Sequence, residues 1–203
     1  MQQPVRKGSR SDGPSRGVEA NARLTGTTAA VLLFLLAAEG VTVLRARALL
    51  TPHVFIGMLL VPPIALKMGS TGYRFTRYYL GSPAYRRKGP PPALLRLLGP
   101  LVVLLTVSLF ASGIGLLFVG PGLRSDLLLL HKASFALWFG VMTLHVLGHL
   151  LDTARLAPRD FYRRTRRQVE GASARQWAIA VSLALGALLA VLVVGRVGHF
   201  LAG

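Results

Sequence analysis

Apolar residues in this chain run in long stretches, without the polar interruptions that give a soluble helix its exposed face. Five stretches, at 24–44, 49–69, 97–120, 127–151 and 177–200, reach or exceed the ~20 residues an α-helix needs to cross ~30 Å of hydrocarbon. Period-two alternation, the mark of a transmembrane β-barrel, is missing from them. The pattern predicts an all-α integral membrane protein with five transmembrane helices. Between the stretches, polar residues collect in blocks. Residues 1–23 are mostly Gly, Ser, Pro and Arg, too poor in apolar surface to order themselves, and predict a disordered basic tail. The first apolar stretch starts too late and runs too long for a secretory leader, so it is expected to remain as a span.

Charge changes the picture less than its size suggests. The 203 residues carry 24 Lys+Arg against 7 Asp+Glu, a formal charge of +17. On a soluble domain that balance points to nucleic acid. Here 52% of residues are hydrophobic and 15% charged, and the basic ones fall in blocks between spans, so a bilayer and not nucleic acid is the expected partner. Arg6, Lys7, Arg10, Arg16 and Arg23 precede the first span. Arg74, Arg77, Arg86, Arg87, Lys88 and Arg96 join the second to the third. Arg155, Arg159, Arg163, Arg164, Arg166, Arg167 and Arg175 join the fourth to the fifth. Eighteen of the 24 basic residues thus share one side, against Arg45, Arg47, Arg124, Lys132 and Arg196 on the other. The positive-inside rule puts the N-terminus in the cytoplasm and the C-terminus outside. In segment 68–96, Tyr73, Phe75, Tyr78, Tyr79 and Tyr85 mingle with arginines. A docking surface for a cytoplasmic partner or anionic lipid and an interfacial anchor both fit, as they do for a short amphipathic helix at 159–168.

The absence of cysteine removes disulfides, thiolate-held iron–sulfur clusters, covalent haem attachment and cysteine catalysis. It also directs attention to the histidines. All five, His53, His131, His145, His149 and His199, lie in or at the ends of spans, where ionisable groups are costly. His53 stands four residues into the second span and His131 four into the fourth, and both spans run from outside to inside. The two imidazoles are therefore expected at one depth, about 6 Å along their helices. Two such rings on facing helices are what a bis-imidazole haem requires, and Gly57, one turn beyond His53, would allow close approach. His145 lies ~21 Å and His149 ~27 Å of helical rise beyond His131, all on one stripe. That spacing would put one redox centre near each membrane face.

A four-helix core with His on its second helix and a His-x13-His pair on its fourth resembles the bacterial b-type cytochromes of the cytochrome b561, hydrogenase and formate-dehydrogenase gamma-subunit group. The flavinylation-associated cytochrome domain is similar. The resemblance covers about 24–152 and implies a four-helix haem-binding bundle, with 153–176 as a basic cytoplasmic connection. Residues 177–203 then form an additional helix and a short outer tail. It implies haem b, bis-His ligation and electron transfer in a bacterial inner membrane, often with a quinone or an external flavoprotein partner. The chain would be an electron-transfer subunit rather than a self-contained enzyme. His53 and His131 match the outer pair and His145 one inner ligand. The inner partner departs from the family: Lys67 and Met68 stand below His53, and the first helix offers no His. His145 and His149 cannot ligate one iron from opposite sides, because i and i+4 side chains point the same way. A second haem would need Met68, Lys67 or a His from another chain; otherwise these two serve a proton path, a quinone site or packing.

Other residues keep two readings. Glu39 either orients an imidazole or takes a proton beside a quinone, unless it snorkels to the surface. Lys132 pairs with a haem propionate or reaches the interface. Pro62 and Pro63 bend the second helix, and the small residues of 111–115 serve haem clearance or helix contact. A zinc site is disfavoured, since the stripe has no carboxylate at its depth, although Asp152 is near His149. The competing class is a cofactor-free scaffold or small transporter with structural histidines. Orientation is directly testable in a chain without cysteine. A cysteine replacing Arg47 should react with a membrane-impermeant thiol reagent on intact cells, and one replacing Ser11 only after permeabilisation; the reverse pattern would invert the topology.

Overall fold

The computed structural model describes residues 16–87, 89, 93–156, 158 and 170–198, the side chains at 151–153 and 156 excepted. The elements are α1 (Arg16–Leu44), α2 (Leu50–Tyr79), α3 (Pro83–Arg87), α4 (Ala93–Leu116), α5 (Pro121–Leu156) and α6 (Ala172–Val194). All except the five-residue α3 contain segments long and apolar enough to cross a membrane. Helices are the expected solution, since hydrocarbon offers no water to backbone N–H and C=O groups and a helix satisfies them within one segment. The outward faces fit such a solvent: Phe34, Leu104, Leu129, Phe139, Leu147 and Leu192 are all more than half exposed.

The helices are longer than the apolar stretches at several ends. α1 begins at Arg16, so residues 16–23 of the expected tail are helical; 1–15 lie outside the described residues. Arg23 is not a loop charge: it is 1% exposed, and its Nε donates to Glu19 Oε1 at 3.1 Å, one turn back. α2 has 30 residues, ~45 Å of rise, more than a bilayer core requires. Its excess carries the aromatic and basic segment onward, where Arg96 donates to the Tyr79 hydroxyl at 3.0 Å and Tyr85 is buried against Tyr73. α5 begins at Pro121, six residues before its apolar stretch, with a proline where a first turn tolerates one. The helix expected at 159–168 lies outside the described residues, as does His199.

α2 packs most extensively on α6, α4 on α5, and α1 on both α2 and α5. The α2–α6 contact has an identifiable cause. Pro63 has no N–H to give the carbonyl of Leu59, so that carbonyl is left open on the helix surface. Gly186 of α6 occupies the space: a Cβ there would overlap the Leu59 oxygen and stand 3.0 Å from its carbon. The proline thus makes a site, and the glycine fills it by having no side chain.

α4 and α5 are joined by polar side chains. Trp138 Nε1 donates to Thr106 Oγ1 at 2.9 Å, and the hydroxyls of Ser108 and Ser134 are 2.8 Å apart. Two α4 glycines receive side chains of α5: a Cβ at Gly115 would come within 2.8 Å of Leu127, and one at Gly113 within 2.8 Å of His131. The small residues of 111–115 therefore serve helix contact.

Replacing Gly186 by Ala should lower the unfolding midpoint in detergent, with an overpacking cost of about 1–3 kcal/mol. Ala at Gly140, where a Cβ would meet nothing within 4 Å, should leave it unchanged or raise it slightly. Equal effects at the two positions would show that the Leu59 carbonyl does not fix this contact.

Candidate functional site

The apolar stretches put His53 and His131 at equal distances from their starts, but the helices themselves begin at different points. His53 is three residues into α2 and His131 ten into α5. The first six residues of α5 extend past the apolar stretch, and this extra length compensates for the different starts. The two rings meet near the α1–α2 turn, with centroids 6.3 Å apart and planes at 79°.

Each ring is held by its Nδ1. His53 Nδ1 lies 2.8 Å from Glu39 Oε1 and 3.1 Å from Thr42 Oγ1, both on α1. Glu39 and His53 are 15% and 23% exposed, so the pair is largely removed from its surroundings without being sealed. Thr42 Oγ1 is 2.6 Å from the Glu39 carbonyl and 3.2 Å from Glu39 Oε2, which ties the carboxylate to its own helix turn. The Glu39 side chain therefore turns inward to an imidazole and does not snorkel. On the other side, His131 Nδ1 is 3.1 Å from the Leu109 carbonyl and 3.2 Å from Ser112 Oγ, both on α4. Its ring edge fits against Gly113.

These partners fix the tautomers. A carboxylate and a main-chain carbonyl only accept, so Nδ1 of each ring is the donor and carries a hydrogen. In a neutral ring the lone pair is then on Nε2, and neither Nε2 has a hydrogen-bond partner among the described residues. Two rings tethered in this way could hold a metal, since metal-binding histidines characteristically donate their other ring N–H to a carboxylate or carbonyl. Gly57 leaves room beside them: a Cβ there would meet only Glu39 Oε1, at 3.7 Å.

The other two expected site residues are brought to each other and not to this pair. His145 and His149 rings are 4.8 Å apart, T-shaped, on successive turns of α5. His145 Nδ1 is buried without a hydrogen-bond partner, so nothing orients that ring as Glu39 and Leu109 orient the first two. Lys67 is within electrostatic range of His145, but its Nζ donates to the Thr25 carbonyl at 3.1 Å. Around it, Asn21 and Thr25 of α1 bond Ser70 of α2. Lys132, beside His131 in the chain, is exposed. Among the described residues, no three His, Cys, Asp or Glu side chains cluster as a metal site.

Sequence reading singled out His53, His131 and Glu39 but missed Thr42, Leu109, Ser112 and Gly113. Only a spacing signal was available for Thr42, three residues after Glu39. Leu109 acts through its main chain, which no residue type announces. Compared with known proteins, the chain matches no family model, no curated protein and no solved structure.

Ala in place of Gly113 should press on the His131 ring, costing about 1–3 kcal/mol in detergent unfolding, whereas Ala at Gly99, with nothing within 4 Å, should not. An unaffected Gly113 variant would mean the ring is not seated where described.

Proposed function

We propose that this chain is a b-type membrane cytochrome, with His53 and His131 as the axial ligands of one non-covalently bound haem. The observation that carries the reading is the pair of imidazoles 6.3 Å apart, each tethered through Nδ1. His53 and His131 would hold the iron between them, and the 6.3 Å between their ring centroids is wide enough for one metal ion. The fit extends to chemistry, because neutral nitrogen donors are the ligands a haem iron takes and the chain has no thiolate. When bound, the haem supplies one-electron chemistry, and the protein supplies binding, orientation and electrostatics.

In this reading α1, α2, α4 and α5 form the haem-binding core, and α6 is the additional helix along α2. His53 and His131 would hold the iron, Glu39 and Leu109 hold the histidines, and Gly113 seats the His131 ring against α4. With the N-terminus inside a bacterial cytoplasmic membrane, the haem lies toward the outer face. Electrons then exchange with a donor or acceptor on that side, an external redox protein or a membrane-soluble quinone. His145 and His149 stand outside the ligand pair in this reading: they lie on successive turns of one helix, and His145 Nδ1 has no hydrogen-bond partner.

Protein purified in detergent should show a Soret band and a reduced α-band, with one haem per chain. Either His53→Ala or His131→Ala should abolish both, while His145→Ala should leave most of the haem bound. A colourless wild-type protein, expressed with adequate haem supply, would exclude the cytochrome and favour a cofactor-free membrane protein. Two haems per chain would return His145 and His149 to the ligand set.

A further inference from the structure

The two histidines are held by partners of different charge. His53 donates to the carboxylate of Glu39, and His131 to a neutral main-chain carbonyl. Building on the haem reading above, we infer that Glu39 is a positioning residue that sets the reduction potential of the haem by biasing it toward the ferric state.

The geometry makes Glu39 a fixed charge and not a wandering one. His53 Nδ1 is 2.8 Å from Glu39 Oε1 but 3.1 Å from Thr42 Oγ1, so the carboxylate takes the Nδ1 hydrogen in preference to the hydroxyl. The same hydroxyl sits 3.2 Å from Oε2 and limits rotation of the group. The site is half-buried between helices, where a charge is poorly screened and acts more strongly than in water.

A carboxylate on the far nitrogen makes an imidazole a stronger electron donor at the near one. The ferric iron carries one more positive charge than the ferrous, so both the donation and the negative charge favour it. The Leu109 carbonyl supplies a dipole of smaller effect, and Ser112 shares it through a hydroxyl 3.0 Å from that oxygen. His53 is thus the electronically strong ligand and His131 the weak one. Neither composition nor the spacing of the histidines distinguishes them.

The experiment is a potentiometric titration of the full-length haem-loaded protein at fixed pH, wild type against Glu39→Gln. Glutamine retains the size and an oxygen that accepts from Nδ1 but removes the charge. The midpoint should rise by the equivalent of about a tenfold change in the ferric-to-ferrous preference, roughly 59 mV for one electron. The low-spin bis-histidine spectrum should persist. Glu170→Gln removes a carboxylate that is exposed and paired with Arg16 at 3.3 Å, and should leave the midpoint where it was. An unmoved midpoint in a haem-loaded Glu39→Gln protein overturns the inference and leaves the haem reading intact. Wild type without haem overturns the haem reading itself. Should Glu39→Gln accumulate without haem, Thr42→Val replaces it. That variant keeps the charge and removes the competing hydroxyl, so the midpoint should fall, and an unchanged value overturns the inference.

Discussion

A polar side chain inside a bilayer has no water to turn to, so it must find its partner on a neighbouring helix. That constraint organises this molecule. Trp138 finds Thr106, Ser108 finds Ser134, and His131 finds the Leu109 carbonyl, so the α4–α5 seam is made of polar contacts in an apolar surface. Across α1 and α2 the same logic joins Thr25 to Ser70 near one end and Glu39 to His53 near the other. Each such bond adds modest stability, because the membrane-inserted chain finds other partners before it packs. Their larger effect is on register. Apolar surfaces slide against one another at little cost, whereas a donor and an acceptor meet at one setting.

The proline–glycine contact between α2 and α6 follows from the same constraint applied to the backbone. Pro63 strands the Leu59 carbonyl, and a stranded carbonyl in hydrocarbon is costly unless something covers it. Gly186 brings the backbone of α6 directly onto it. The partnership of these two helices was not legible from either apolar stretch. A proline in mid-span suggests a bend, but it does not say which later helix will lie against the bend.

His53 and His131 are set apart by what holds them. His53 and His131 come from different helices, and each receives an acceptor from a third or fourth helix, which tethers the ring through Nδ1. His145 and His149 come from one helix and face each other, and the buried Nδ1 of His145 has no partner. Spacing paired His53 with His131 by depth, but it did not say what would hold either ring. The distinction lies in Glu39, Thr42 and the Leu109 carbonyl, and two of those three carry no histidine-like signal in the chain. Glu39 did carry one: a lone carboxylate in an apolar stretch, at the depth of His53, invites the question of what it bonds.

The run lengths of apolar residues determined that the chain is helical, with several segments long and apolar enough to cross a membrane, because hydrophobic length against bilayer thickness is a local property. They also brought the histidines into the spans and set His53 and His131 at comparable depth, since rise per residue is fixed. Helix ends were less legible: Arg16 to Arg23 reads as tail, yet an ion pair one turn apart lets the helix continue through it. The tertiary structure alone decided which helices are neighbours, which nitrogen of each imidazole is free, and that one ring is held by a charge and the other by a dipole. Those features depend on groups brought together from distant parts of the chain, and their hydrogen bonds exist only once the helices have packed.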